Sequence, residues 1–153
     1  SGKALTVHDL RGRPRLVTMF YANCPFVCPL IVDSLKAVER ELTPGERTRI
    51  GLVLLSLDPA RDSPAVLQGV MTSRRLDAGR WQLLRPDEKD LRGLAGVLGI
   101  RYRALADGEF NHSTSLVLLD AEGRIVARSD RIGGKPEPEF MAAVRSVLAK
   151  PGN

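Results

Sequence analysis

Apolar residues in this chain recur with two different periods, and the switches between them mark out its elements. Leu16 to Tyr21 is a short β-prone run that leads directly into Asn23-Cys24-Pro25-Phe26-Val27-Cys28-Pro29. It reads as a strand ending in a cysteine loop. Beyond it, Leu30, Ile31, Leu35, Val38 and Leu42 share one face at helical spacing. They predict an amphipathic helix with Pro29 at its first position and an end before Thr43-Pro44-Gly45. Ile50 to Leu57 is apolar on both alternations, which predicts a strand covered on both faces at the centre of a parallel sheet.

Asp62-Ser63-Pro64 combines capping residues with a proline suited to the first helical position, ahead of Val66, Leu67, Val70 and Met71 on a buried helical face. Trp81 to Leu84 reads as another short strand. The next helix spans about 87 to 98, with Leu91, Leu94, Ala95 and Leu98 inward and Gly99 as its left-handed cap. Ser115 to Leu119, the turn Asp120 to Gly123, and Arg124 to Arg128 form a hairpin. A last helix over 138–149 buries Phe140, Met141, Val144, Val147 and Leu148. The order is a βαβ half followed by a ββα half. It predicts an α/β chain of thioredoxin-like fold, a central mixed sheet flanked by helices, with residues 1–153 as one domain. Gly133-Gly134-Lys135-Pro136 is a loop rather than a linker.

Composition narrows the function. At 153 residues with 43% apolar and 27% charged positions, the chain can bury a core without disulfide staples. No stretch reaches the roughly 18 apolar residues of a spanning helix. The 23 basic and 18 acidic residues leave a net charge of +5 spread along the chain, and the aromatics make up only 5%. Neither a basic stripe nor a stacking platform is present, so no nucleic-acid partner is expected. An anionic partner or surface stays open. Ser1-Gly2 has the look of a remnant of tag cleavage, and the native start, with an anchor or signal, is expected to have been removed.

The chemistry centres on the two cysteines, Cys24 and Cys28. Four residues apart at the start of a helix, they share a face and can bind one metal or, with some loop adjustment, form a disulfide. The helix N-terminus favours the thiolate, the form that ligates metal and attacks sulfur. A disulfide across so short a loop adds little stability, and a structural zinc would want four protein ligands. An inert buried pair is the bland alternative. Of the two histidines, His8 reads as a surface residue, whereas His112 precedes the strand expected beside the cysteine strand and can reach the pair. Two thiolates and an imidazole form a soft, open site suited to Cu(I), and to Cu(II) with a further ligand.

These residues resemble a known family. The segment from Asp9 to Pro14 and on through Met19 to Pro29, the block Ser56-Leu57-Asp58-Pro59-Ala60-Arg61-Asp62-Ser63-Pro64, and His112-Ser113 followed by Leu116 to Gly123 together resemble the Sco/SenC copper chaperones. The resemblance implies a thioredoxin-like domain, tethered to a membrane outside the cytoplasm, in bacteria the periplasm. Such a domain supplies copper to a cytochrome c oxidase subunit, at its dinuclear copper centre, or keeps that centre's cysteines reduced. Cys24, Cys28 and His112 match the metal ligands, and Asp58 and Arg61 match the second block as loop-ordering residues. Two acidic residues common in similar proteins are replaced here by Phe26 and Asn111, which removes negative charge and lowers the cost of forming thiolates.

Other readings use the same atoms. A thiol-disulfide reductase would run mixed-disulfide exchange at Cys24 or Cys28, as a redox pair. A copper- or redox-sensing module would hold the ion without transferring it. A thiol peroxidase fits less well, because Tyr21 and Pro25 stand three residues before the cysteines where a threonine is expected. In an oxidising compartment any of these roles needs a thiol reductant protein as partner.

Overall fold

A computed structural model of the chain describes residues 11–22, 27–106, 110–112 and 115–149, with the backbone alone at Val27, Cys28, Ala104, Phe110, Asn111 and His112. Its first strand, β1 (Arg15–Phe20), is followed by the helix α1 (Val27–Glu41) and a short helix α2 (Pro44–Arg47). Then come β2 (Gly51–Ser56), α3 (Pro64–Ser73), β3 (Trp81–Leu84) and α4 (Glu88–Leu98). The chain continues through β4 (Tyr102–Ala104), β5 (Phe110–His112), β6 (Leu116–Leu119), β7 (Ile125–Ser129) and α5 (Pro138–Ala149).

Five strands form one mixed sheet in the order β3-β2-β1-β6-β7. Strands β1, β2 and β3 are parallel, and the β6–β7 hairpin joins antiparallel to β1. The centre is therefore β1, and β2 lies one place off it, a correction to the expected position. Both are sealed on both faces, since every residue of β2 is buried and only Arg15 of β1 is partly open. One side of the sheet packs Leu16, Leu52, Leu54 and Leu118 against α1 and α5 residues such as Ile31, Leu35, Phe140 and Val144. The other packs Val17, Met19, Val53 and Leu55 against Leu91, Leu94 and Leu98 of α4. Burying such side chains contributes about 1.5–3 kcal/mol each, so this sandwich supplies most of the fold's stability.

The helix faces match their spacing with two exceptions. Leu30 is 47% exposed and Val66 is 41% exposed, each in the first turn of its helix. Pro29 stands third in α1 rather than first, a position whose N–H also lacks an intrahelical acceptor. Ser63 caps α3 by accepting from Val66 N at 3.2 Å, with Pro64 at the first helical position. The segment at Thr43 ends one helix and caps another: Thr43 and Glu46 form a reciprocal capping box for α2. Gly99 takes the left-handed cap with φ +69°. At the hairpin, Asp120 Oδ1 accepts from Glu122 N and Arg124 N at 3.0 and 2.9 Å, and Gly123 has φ +82°. The two-stranded sheet β4–β5 was not expected from the sequence. Arg92 stacks over Tyr102 of β4, 4.5 Å from its ring centre.

Candidate metal site

Three stretches of the chain carry the residues expected at the site: the start of α1, the end of β5 and the loop after β2. Cys28 is the second residue of α1, which carries no acidic residue in its first turn. Its backbone therefore sits at the positive, N-terminal end of a 15-residue helix. Cys24 lies outside the described residues, as does His8. His112 is the last residue of β5, paired with Tyr102, so its backbone belongs to a short strand ahead of β6.

Topology relates the histidine segment to the cysteine strand. β6 runs antiparallel to β1, with Leu16 opposite Leu118 and Val17 opposite Val117. Thr18 Oγ1 donates to Ser115 O at 2.8 Å just before β6 begins. The chain thus enters β6 from the same end at which β1 leaves the sheet, the end where Phe20, Tyr21 and Ala22 lead toward Cys24.

That end is braced by the loop after β2. Leu57 N donates to Phe20 O at 2.7 Å, which carries the β1–β2 pairing one step past β2. Asp58 lies two residues beyond β2, buried, where its N–H donates to Ser56 Oγ at 3.0 Å. Its carboxylate takes the Arg61 side chain in an ion pair, and its carbonyl accepts from Arg61 N and Asp62 N at 3.1 and 2.8 Å. The structure therefore joins Asp58 and Arg61 to each other in a closed turn. Arg85 Nε fixes the far side of this turn by donating to Pro59 O at 2.7 Å.

Asp62 is the residue that reasoning from the sequence did not single out. Only 2% exposed, it accepts from Ser56 Oγ at 2.7 Å and from Ala22 N at 3.1 Å through one oxygen, Oδ2. A buried carboxylate thereby holds the backbone two residues before Cys24. Burial raises its pKa above the usual carboxylate range, against the hydrogen bonds from Ser56 and Ala22 and helped by the nearby charge of Asp58. The available signal was the pair Asp62-Ser63 ahead of Pro64: either can cap a helix, and one cap leaves the other side chain free for another task.

Comparison with known proteins follows the same outline. The family description SCO1/SenC matches residues 1–149. A SCO1 protein homolog of Bacillus subtilis is 20% identical over 149 residues, covering 95% of this chain and 77% of that protein. A Stutzerimonas stutzeri protein named for copper binding is 28% identical over 124 residues, covering 78% of this chain and 59% of its own length. The copper-bound structure of ScoI from Bradyrhizobium japonicum superposes with a TM-score of 0.76 at 26% identity, over 95% of this chain and 92% of the other. The sheet order, the crossing helices and this superposition are those of a thioredoxin-like fold. With its matched region running from the first residue to the end of α5, the chain belongs to the SCO1/SenC family.

Proposed function

We propose that this chain is a copper-binding metallochaperone that holds one copper ion with Cys24, Cys28 and His112. The observation that carries the reading is Cys28 in the first turn of α1, with Cys24 four residues earlier in the sequence and after the central strand, in a chain matched over residues 1–149 by SCO1/SenC. Two thiolates and one imidazole are a soft donor set with room for an entering ligand, which suits Cu(I) and admits Cu(II) when a further ligand joins. A thiol or imidazole of an acceptor can enter before the original ligands leave, so the ion passes without being released to water. The acceptor is the dinuclear copper site of a cytochrome c oxidase subunit. Asp58 and Arg61 act indirectly, by closing the turn that braces the end of β1.

The chain works as a single domain outside the cytoplasm, in the periplasm, held near a membrane by a tether in the full-length protein. No helix among the described residues is long and apolar enough to cross a membrane. A dedicated thiol reductant keeps the pair loadable there. The absence of carboxylates at Phe26 and Asn111 favours a second reading, in which the pair reduces client cysteines by mixed-disulfide exchange.

Copper titration of the reduced protein against a competing Cu(I) chelator separates the readings. One copper per chain is expected, with affinity lowered strongly by Cys24→Ala or Cys28→Ala and less by His112→Ala. Absence of stoichiometric copper, together with rapid reduction of a client disulfide, would assign the pair to the reductase. A His112→Ala protein with unchanged affinity and copper spectrum would remove His112 from the ligand set.

A further inference from the structure

The end of the sheet opposite the cysteines gathers arginine. Arg15 opens β1, Arg49 precedes β2 and Arg80 precedes β3, while Arg40 lies in the last turn of α1 and Arg47 closes α2. Between α1, α2 and the α3–β3 connection is a recess of about 220 Å³, lined by Lys36, Arg40, Arg47, Arg75 and Arg80. Two carboxylates share its wall, and both are engaged. Glu39 accepts from Arg80 Nε at 2.8 Å and Trp81 Nε1 at 3.2 Å. Asp77 accepts from Arg80 Nη1 at 2.9 Å and from Gly79 N at 2.8 Å. Lys36 donates to Arg74 O and Arg47 to Glu39 O, each at 2.7 Å. The guanidinium groups of Arg40 and Arg75 have no hydrogen bond or ion pair among the described residues.

A second observation comes from the backbone. After α3, Leu76 N closes onto Met71 O at 2.9 Å, as Ile100 N closes onto Ala95 O at 2.9 Å after α4. The residue before each donor is left-handed, and in α4 it is Gly99 at φ +69°. In α3 it is Arg75 at φ +55°, the one described residue other than glycine with positive φ. A Cβ disfavours that conformation, and glycine is the usual occupant. An arginine held in glycine's place, projecting a free guanidinium into a recess lined by four other cations, marks a position where the side chain is wanted.

We propose that this recess is a phosphate-binding site. Donors converge on it from three elements, and forked guanidinium groups match the several oxygens of a compact, multiply charged oxyanion. The same phosphate chemistry is offered by a soluble phosphate and by the headgroup of an anionic lipid. The site is independent of the copper reading, since it lies at the other end of the parallel strands from the cysteine segment.

The test uses the full chain at low ionic strength with two probes: inorganic phosphate followed by amide chemical shifts, and sedimentation with phosphatidylglycerol vesicles against phosphatidylcholine vesicles. Saturable shifts at Lys36, Arg40 and Arg75 with phosphate, or retention on phosphatidylglycerol alone, support the site and identify its source. Arg40→Gln combined with Arg75→Gly is expected to weaken binding at least about tenfold. Arg75→Gly alone is expected to lose affinity while melting no lower than the parent, because glycine relaxes the left-handed turn. Copper stoichiometry should be unchanged in both. The proposal is overturned if neither probe binds, if the double variant binds as the parent does, or if Lys135→Gln, at a residue lining a different recess, lowers binding equally.

Discussion

Replacing Asp62 should loosen the segment that carries Cys24, and the size of the effect follows from its two hydrogen bonds. Asp62→Ala removes the acceptor of Ser56 Oγ at 2.7 Å and of Ala22 N at 3.1 Å, in a position only 2% exposed. A buried donor left without a partner costs about 1–3 kcal/mol. The Ser56 hydroxyl can rotate toward another acceptor and the Ala22 N–H cannot, so the total should be about 2–3 kcal/mol. For a chain of this size that lowers the melting temperature by about 4–12 °C. Asp62→Asn keeps an oxygen for these donors. It loses charge assistance and also escapes the burial of a charge, two opposed effects, so it should stay within about 1 kcal/mol of the parent.

Acidity separates these two effects. Burial raises the folded-state pKa of Asp62 above its unfolded value, so the folded chain binds the proton more tightly. Its contribution to stability is full below the unfolded value and is lost as pH rises through the folded one. Between those values the parent should therefore lose stability relative to Asp62→Asn as pH increases. Urea unfolding of parent, Ala and Asn proteins across the acid range, read by Trp81 fluorescence, measures both effects, and copper titration reports the consequence for the site. An Ala variant within about 0.5 kcal/mol of the parent would refute the clamp. A parent-to-Asn difference that is flat with pH would refute the part assigned to burial.

Two further outcomes concern the cysteines. Oxidation to a Cys24–Cys28 disulfide should abolish stoichiometric Cu(I) binding, and bound copper should shield the pair from oxidation, since a ligand of the dithiol form shifts the equilibrium toward it. Retention of one copper at near-parental affinity by fully oxidised protein would exclude the cysteines as ligands. Phe26→Asp with Asn111→Asp should raise the thiol pKa through like-charge repulsion and slow alkylation at neutral pH by about threefold to tenfold. Rates measured against pH in the metal-free, reduced protein check this, and unchanged or faster alkylation contradicts it.

Much of the molecule is determined locally by its sequence. A run apolar on both alternations, from Ile50 to Leu57, has nowhere to go but between two layers, and every residue of β2 is buried accordingly. Leu91, Leu94, Ala95 and Leu98 turn inward and Gly99 caps the helix, because spacing and backbone freedom act over one or two turns. The cysteine pair, the histidine and the Ser56–Pro64 block carried the family resemblance through residue type and order, and the SCO1/SenC match over residues 1–149 agrees with it.

What the tertiary structure alone decided is which of several competent residues takes each role. Pattern cannot say that β1 rather than β2 is central, because both are buried on both faces and only the pairing of β6 with β1 breaks the tie. Three-residue strands such as β4 and β5 are too short to show a period, and their pairing fixes them. Asp62 and Ser63 are equally able caps. Ser63 serves α3, which leaves Asp62 free to reach across 40 residues of chain to Ala22. The arginines near the recess are separated by up to tens of residues and converge only because α1, α2 and the entry to β3 end side by side. Local sequence sets the conformation each segment prefers. Contacts between distant segments depend on the path of the whole chain, and that path is fixed by burying all the apolar faces at once.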